Sequence, residues 1–190
     1  MKSHAGPPKI IVRSFLLLCF AVFTPGIQSQ AKQAPPPDRP ALIAAARAIM
    51  KTARCCALIT VDSAGRPRAR TMDPFPPEEN MVVWLGTNSK SRKVAEIHRH
   101  QRVTLYYFVP EDRAYVTISG RARIVQDAKE KAKHWKDEWK DFYPDRKKSF
   151  LLIDVIPEQL EVISVKQGII GDSMSWTPPA VTFRNRKHKS

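Results

Sequence analysis

Apolar residues recur along the chain with two different spacings, and each change of spacing marks an element. Residues 41–53, ALIAAARAIMKTA, are alanine-rich with good helix propensity, and Pro40 suits the first turn of that helix. Residues 55–61, CCALITV, form a short apolar run. Turn chemistry follows around Gly65, and residues 68–72, RARTM, alternate as a partner strand does, so 55–72 predicts a hairpin. Beyond the proline-rich loop PFPPEEN, residues 81–87 predict a third strand. SRKVAEIHRH predicts a short helix with Val94, Ile97 and His98 on one face. Residues 102–109 and 114–125 predict two further strands joined by PEDR, with a bulge or bend at Gly120.

Residues 127–143, DAKEKAKHWKDEWKDFY, predict one charged helix capped by Asp127 and ended by Pro144. Its packing stripe would be Ala128, Ala132, Trp135, Trp139 and Phe142. SFLLIDVIP and EQLEVISV give the last strands, broken at Pro157, and residues 166–190 predict an irregular tail ending in the basic RNRKHKS. About six strands, three helices and mostly hairpin joins predict a mainly β fold with flanking helices. The architecture is a small antiparallel barrel, not a doubly wound parallel sheet.

The N-terminus stands apart from this pattern. Lys2, Lys9 and Arg13 precede an apolar run over residues 14–24, Pro25 and Gly26 break it, and SQA at 29–31 offers small residues for cleavage. Residues 1–31 therefore read as a secretory signal peptide, too short in its apolar part to span a membrane comfortably, and the expected location is periplasmic or secreted. An uncleaved N-terminal anchor is the alternative. Bulky Leu18 before Cys19 argues against a lipid-anchored cysteine. Residues 32–39 form a proline-rich linker to a domain over 40–165. After cleavage only Cys55 and Cys56 remain, and a vicinal pair is strained as a disulfide, so no disulfide framework and no metal spacing is implied.

The 190 residues carry a formal charge of +14. Such charge attracts anions, but here the cations are spread through a lysine-rich helix, the tail and one short loop. Nucleic-acid binding needs a continuous basic surface, and export removes the usual partners, so no nucleic acid is expected. The loop is the informative part. TNSKSRKVAEI, residues 87–97, places hydroxyls, an amide and three cations where a helix starts. Unpaired N–H groups and the helix dipole make such a terminus an anion site, and cations there otherwise oppose the dipole. Thr87, Ser89 and Ser91 can add hydroxyl donors, Arg92 can fork onto a phosphate, and Lys93 adds a point charge. Arg70, on the same strand face as Arg68, offers a further cation.

In this order of strands, TNSKSRKVAEIHRHQRVTLYYF and YVTISGRARIV resemble the pyridoxamine 5′-phosphate oxidase-like superfamily of FMN-binding split barrels. HWKDEWKDFYPD and FLLIDVIPEQLEVIS resemble its general-stress-protein branch. The resemblance covers about residues 40–165 and implies a six-stranded antiparallel split barrel binding FMN at a homodimer interface, with haem or a deazaflavin used in some members. It implies that Arg70, Thr71 and Met72 run along the flavin and reach its phosphate, that Thr87 donates a hydroxyl, and that Ser91, Arg92 and Lys93 clamp the phosphate. Tyr115 stands where the oxidases have a glutamine near the flavin, and Trp176 where some members place a tryptophan over the partner's flavin. Two departures weigh against vitamin B6 oxidation. Phe75 stands near the place of a substrate-binding lysine, and the tail WTPPAVTFRNRKHKS lacks the substrate-gripping Arg-x-His element. The function implied is an FMN-dependent oxidoreductase acting on a small molecule, the alternative a non-enzymatic flavin- or haem-binding stress or cofactor-handling protein. No catalytic acid or base stands out. His98 and His100 read as surface or capping residues.

Overall fold

The computed structural model describes residues 37–183, so the expected signal peptide, most of the expected linker and the basic end of the tail lie outside the described residues. Helix α1, Arg39–Ala53, begins where Asp38 accepts the Ala41 N–H at 2.9 Å, with Pro40 in its first turn. Leu42, Ala45, Ala46, Ile49 and Met50 line its buried face. Strands β1, Cys56–Val61, and β2, Pro67–Met72, form the expected hairpin. Strand β3, Val83–Asn88, leads into helix α2, Arg92–Arg99. Strands β4, Arg102–Val109, and β5, Ala114–Val125, follow.

All pairings are antiparallel, in the order β2-β1-β4-β5-β6-β3, where β6 is Phe150–Ser164. The two edges of this curled sheet meet at one bridge between Pro74 and Leu85, with the Phe75 N–H donating to the Trp84 carbonyl at 2.9 Å. Six long strands, antiparallel throughout and flanked by helices, make the split barrel that the strand count anticipated. Its core is filled by inward residues of every long strand, among them Leu58, Leu85, Leu105, Ile118 and Val162, and is roofed by α1.

Three local expectations are corrected. First, β6 runs unbroken through Pro157. The break is instead a bulge, with the register against β5 shifting between Ser119 and Gly120. Ile153 and Val155 face the core before it and Leu160 and Val162 after it, so one extra residue flips the alternation. Proline lacks an N–H and is tolerated at such a site. Gly120 is required opposite it, because a Cβ there would lie 2.1 Å from the Ile156 carbonyl oxygen.

Second, residues 127–143 are not one helix. Asp127 caps as expected, but α3 is only Ala128–Lys133 and a 3-10 turn follows over Asp137–Trp139. Ala128, Ala132 and Phe142 are exposed, so the helical stripe does not exist. The tryptophans instead turn onto the outer face of β3 and β6. There Trp139 is buried with Trp84, Phe150 and Leu152, and Trp135 packs against them. Asp73 ties this segment to the end of β2, accepting from Trp139 Nε1 at 2.8 Å and pairing with Lys136 at 2.5 Å. A short helix α4, Arg146–Ser149, returns the chain to β6. Third, the tail is not wholly irregular: β7, Ala180–Thr182, adds to β6.

Candidate functional site

The loop between β3 and α2 is rigidly built. The Asn88 side chain accepts the Lys90 N–H at 2.9 Å, the Asn88 carbonyl accepts the Ser91 N–H at 2.9 Å, and the Ser89 N–H donates to the Ser149 carbonyl at 2.7 Å. Ser91 occupies the N-cap of α2 but makes no capping bond with its hydroxyl. That hydroxyl lies 3.0 Å from the buried Thr87 hydroxyl, and Lys93 Nζ donates to Thr87 Oγ1 at 3.3 Å. Thr87, Ser91 and Lys93 thus converge beside the Arg92 and Lys93 N–H groups, which have no acceptor among the described residues, whereas the Val94 N–H donates to the Ser91 carbonyl at 3.0 Å. Arg92 is exposed on the same turn, and among the described residues no carboxylate forms a salt bridge with Arg92 or Lys93.

Behind this turn lies a buried ionic knot absent from the sequence reading. Glu96 on α2 is 6% exposed. It accepts from Thr60 on β1 at 2.5 Å and from Arg70 on β2 at 2.7 Å, and Arg70 also donates to Thr60 at 2.6 Å. Two of Arg70's five N–H donors are therefore engaged inside the chain. Burial works to raise the Glu96 carboxyl pKa, but the bonds from Thr60 and Arg70, with the charges of Arg70 and Arg92, bring it below the ordinary glutamate range. Burial, reinforced by the charge of Arg70 and opposed by Glu96, lowers Lys93 below the ordinary lysine range. Glu96 was hidden because it sits three residues after Lys93 and four after Arg92, the spacing of a commonplace surface pair.

The remaining anticipated residues are dispersed. Met72 is buried in the barrel core, and Thr71 is exposed on the opposite face of β2 from Arg70 and Met72. Tyr115 pairs with Ile163 whereas Thr87 pairs with Leu151, twelve residues earlier on β6. At about 3.3 Å per residue that is roughly 40 Å of strand, so within one chain Tyr115 is remote from the clamp. Tyr115 instead joins an outer aromatic patch with Tyr106, at 5.7 Å between ring centroids, and Tyr106 stacks on exposed Phe108. Trp176 is 84% exposed at a positive φ of 58°. His98 and His100 are exposed. Among the described residues no cluster of three His, Cys, Asp or Glu side chains could hold a metal, and no helix is long and apolar enough to cross a membrane.

An antiparallel split barrel whose third strand opens onto a hydroxyl-and-cation turn can be compared with known proteins. Residues 43–182 match the sequence family described as pyridoxamine 5′-phosphate oxidase like. The chain belongs to this family. Among solved structures, the oxidase-like chain is similar to general stress protein 26 from Bacillus anthracis. The two share 22% identity and a TM-score of 0.60 over 75% of this chain and 98% of that one. It is also similar to a pyridoxamine 5′-phosphate oxidase-related, FMN-binding protein from Nostoc punctiforme, at 17% identity and TM-score 0.55 over 80% and 99% of the two chains. A third is a heme-binding protein from Mycobacterium smegmatis, at 17% identity and TM-score 0.58 over 77% and 60%. None of the curated protein sequences matches the chain. At these identities the solved structures establish the shared fold of the oxidase-like chain.

Proposed function

We propose that this oxidase-like chain binds FMN through the turn that opens α2 and serves as an FMN-dependent oxidoreductase for a small molecule. The observation that carries the reading is the convergence of Thr87, Ser91 and Lys93 on one side of that turn, with Arg92 lacking a carboxylate partner among the described residues. The donor set suits a phosphate monoester: two hydroxyls, free N–H groups and two cations, each charged bond contributing about 1.5–3 kcal/mol. The charge also matches. Arg70, Arg92 and Lys93 against Glu96 leave +2 at the turn, opposite to the roughly −1.5 to −2 of a phosphate monoester near pH 7.

In this reading Thr87, Ser91, Arg92 and Lys93 hold the phosphate. Glu96 keeps Arg70 fixed behind them, so the turn is organised before the ligand arrives. Bound flavin would supply the redox chemistry, and the chain supplies position and electrostatics. Tyr115 pairs at the far end of β6 from the clamp, Thr71 faces the opposite side of β2 from Arg70, and Trp176 is exposed, which favours a homodimer in which a second copy completes the flavin site. Secretion, with signal removal after residue 31, is part of the same proposal.

The competing reading is a haem carrier or a non-enzymatic flavin carrier, and the fold it would use is that of the Mycobacterium smegmatis heme-binding protein. A visible absorbance spectrum of the purified protein, with mass identification of the heat-released ligand, separates flavin from haem, and reduction of the bound flavin by an added small-molecule donor separates an oxidoreductase from a flavin carrier. FMN bands support the proposal, and a Soret band overturns it. A protein that takes up neither FMN nor haem overturns both readings.

A further inference from the structure

The outer face of β3, β6 and β5 forms the floor of a groove of about 1240 Å³. The antiparallel register sets out that floor. Trp84 on β3 pairs with Asp154 on β6, which pairs with Arg123 on β5, and in the next outward row Ile156 pairs with Arg121. Val82, Trp84 and Ile156 make most of the floor apolar. Arg121 and Arg123 stand two apart on one face of β5, so both rise along the same side of the groove. Glu78 and Glu79, from the loop before β3, line the other side.

The two arginines are held in place with donors to spare. Arg121 Nε donates to Glu158 at 2.9 Å. Arg123 Nε donates to both Asp154 oxygens at 3.2 Å, and its Nη2 donates to the same carboxylate. Asp154 is 2% exposed, so water and salt screen this tether little. In each guanidinium the Nη1 group, with two N–H donors, has no acceptor among the described residues. A third arginine in the wall, Arg39, is taken up by the Thr182 carbonyl at 2.7 Å and by the Phe183 ring. On the opposite side, no cation pairs with Glu78 or Glu79 among the described residues. The Glu78 carboxylate accepts the Trp84 indole N–H at 2.8 Å, and Glu79 is exposed. One side of the groove is therefore acidic and the other basic, across an apolar floor. Neighbouring strands lie about 4.8 Å apart, so β3 and β5 stand about 10 Å from each other.

We propose that this groove binds a short peptide with free termini and an apolar side chain. Its ammonium meets Glu78 and Glu79, its carboxylate meets the Nη1 donors of Arg121 and Arg123, and its side chain packs on the floor at Val82 and Ile156. A ligand that is cationic at one end, anionic at the other and apolar between matches the walls in sign and order. At about 3.3 Å per residue, an extended tripeptide spans about 10 Å. The site does not depend on the flavin reading. Trp139 and Phe150 cover Gly86, which lies between Trp84 and Thr87 on β3, and a Cβ at Gly86 would lie 2.5 Å from the Trp139 ring.

Alanyl-leucyl-alanine is the probe, titrated calorimetrically into the full-length protein. One molecule binds, and binds equally well to R92A/K93A. Acetylating its N-terminus or amidating its C-terminus weakens binding at least tenfold. Glu78→Gln with Glu79→Gln weakens the free peptide at least tenfold and has no further effect on the acetylated one, while Gln at 78 still offers the Trp84 indole an acceptor. Arg121→Ala weakens the free peptide severalfold and leaves the amidated one unchanged. These variants keep the buried Asp154 paired with Arg123. Absence of binding by the free tripeptide overturns the proposal. So does an acetylated or amidated peptide that binds as the free one does, or a glutamine pair that weakens the acetylated peptide equally. Loss of binding in R92A/K93A overturns it too, because the peptide then sits on the α2 turn. FMN affinity is measured separately, so failure here leaves the clamp standing, and the reverse also holds.

Discussion

Arg92 and Lys93 open α2, whereas Lys51 and Arg54 close α1, and the same charge carries opposite meaning at the two ends. At the C-terminus of α1 a cation complements the helix dipole, so Lys51 can be explained without a ligand. At the N-terminus of α2 cations oppose the dipole, and the sequence alone flags them as serving something else. The two regions also differ in what lies behind them. The α2 turn has a buried carboxylate, Glu96, that holds Arg70 in place. Beside the C-terminal turn of α1, the single acid among the residues lining the neighbouring cavity is Asp73, which pairs with Lys136 and accepts from Trp139.

The largest expected effect is on the flavin. Replacing Arg92 and Lys93 together by alanine removes two charged contacts and should cost about 3–6 kcal/mol of FMN affinity, at least a hundredfold, read by fluorescence titration. Full flavin occupancy in that variant would place the phosphate elsewhere and erase the distinction between the two ends. Next is Glu96→Ala, which leaves the Arg70 charge unpaired in the interior. Urea unfolding should show a loss of about 3 kcal/mol, with a smaller loss for Glu96→Gln.

The pH dependence of that same pair gives a third test. The Glu96 carboxyl has a lowered pKa in the folded chain, so its contribution is present above the unfolded value of about 4.5 and is lost as pH falls through the folded value. The stability advantage of the native chain over Glu96→Gln should hold at neutral pH and shrink in acid. An advantage that grew in acid would refute the ionised pair. Lys93 runs the other way. Its lowered pKa means that FMN affinity should decline with rising pH sooner than an ordinary lysine, near 10.5, would allow, and Lys93→Arg should remove that decline.

The smallest effects give the sharpest contrast. In flavin-free protein, Arg92→Ala should stabilise by a few tenths of a kcal/mol, while Lys51→Ala should destabilise by about 0.3–1 kcal/mol. Thermal unfolding at low salt reads both, and equal signs would remove the dipole argument.

The barrel was legible because its strands alternate cleanly and its hairpins carry turn residues. The limits of β4 and β5 and the irregularity at Gly120 follow from that pattern. The phosphate turn was legible because a short helix announces its start with hydroxyls and then breaks the charge rule. What escaped shares one cause, partners distant in sequence. Glu96 reads as a surface neighbour of Arg92 until β1 and β2 bring Thr60 and Arg70 against it. Trp135 and Trp139 fit a helical stripe until Asp73, more than sixty residues earlier, captures the Trp139 indole and Lys136.

The kink opposite Gly120 also dictates where the chain length can vary. Ile153, Val155 and Pro157 keep one phase on β6, and Leu160 and Val162 keep the other, with Glu158 and Gln159 taking up the offset. Excising Glu158 would straighten the strand and still leave Leu160 and Val162 pointing inward. Excising Asp154 would turn part of the same strand inside out.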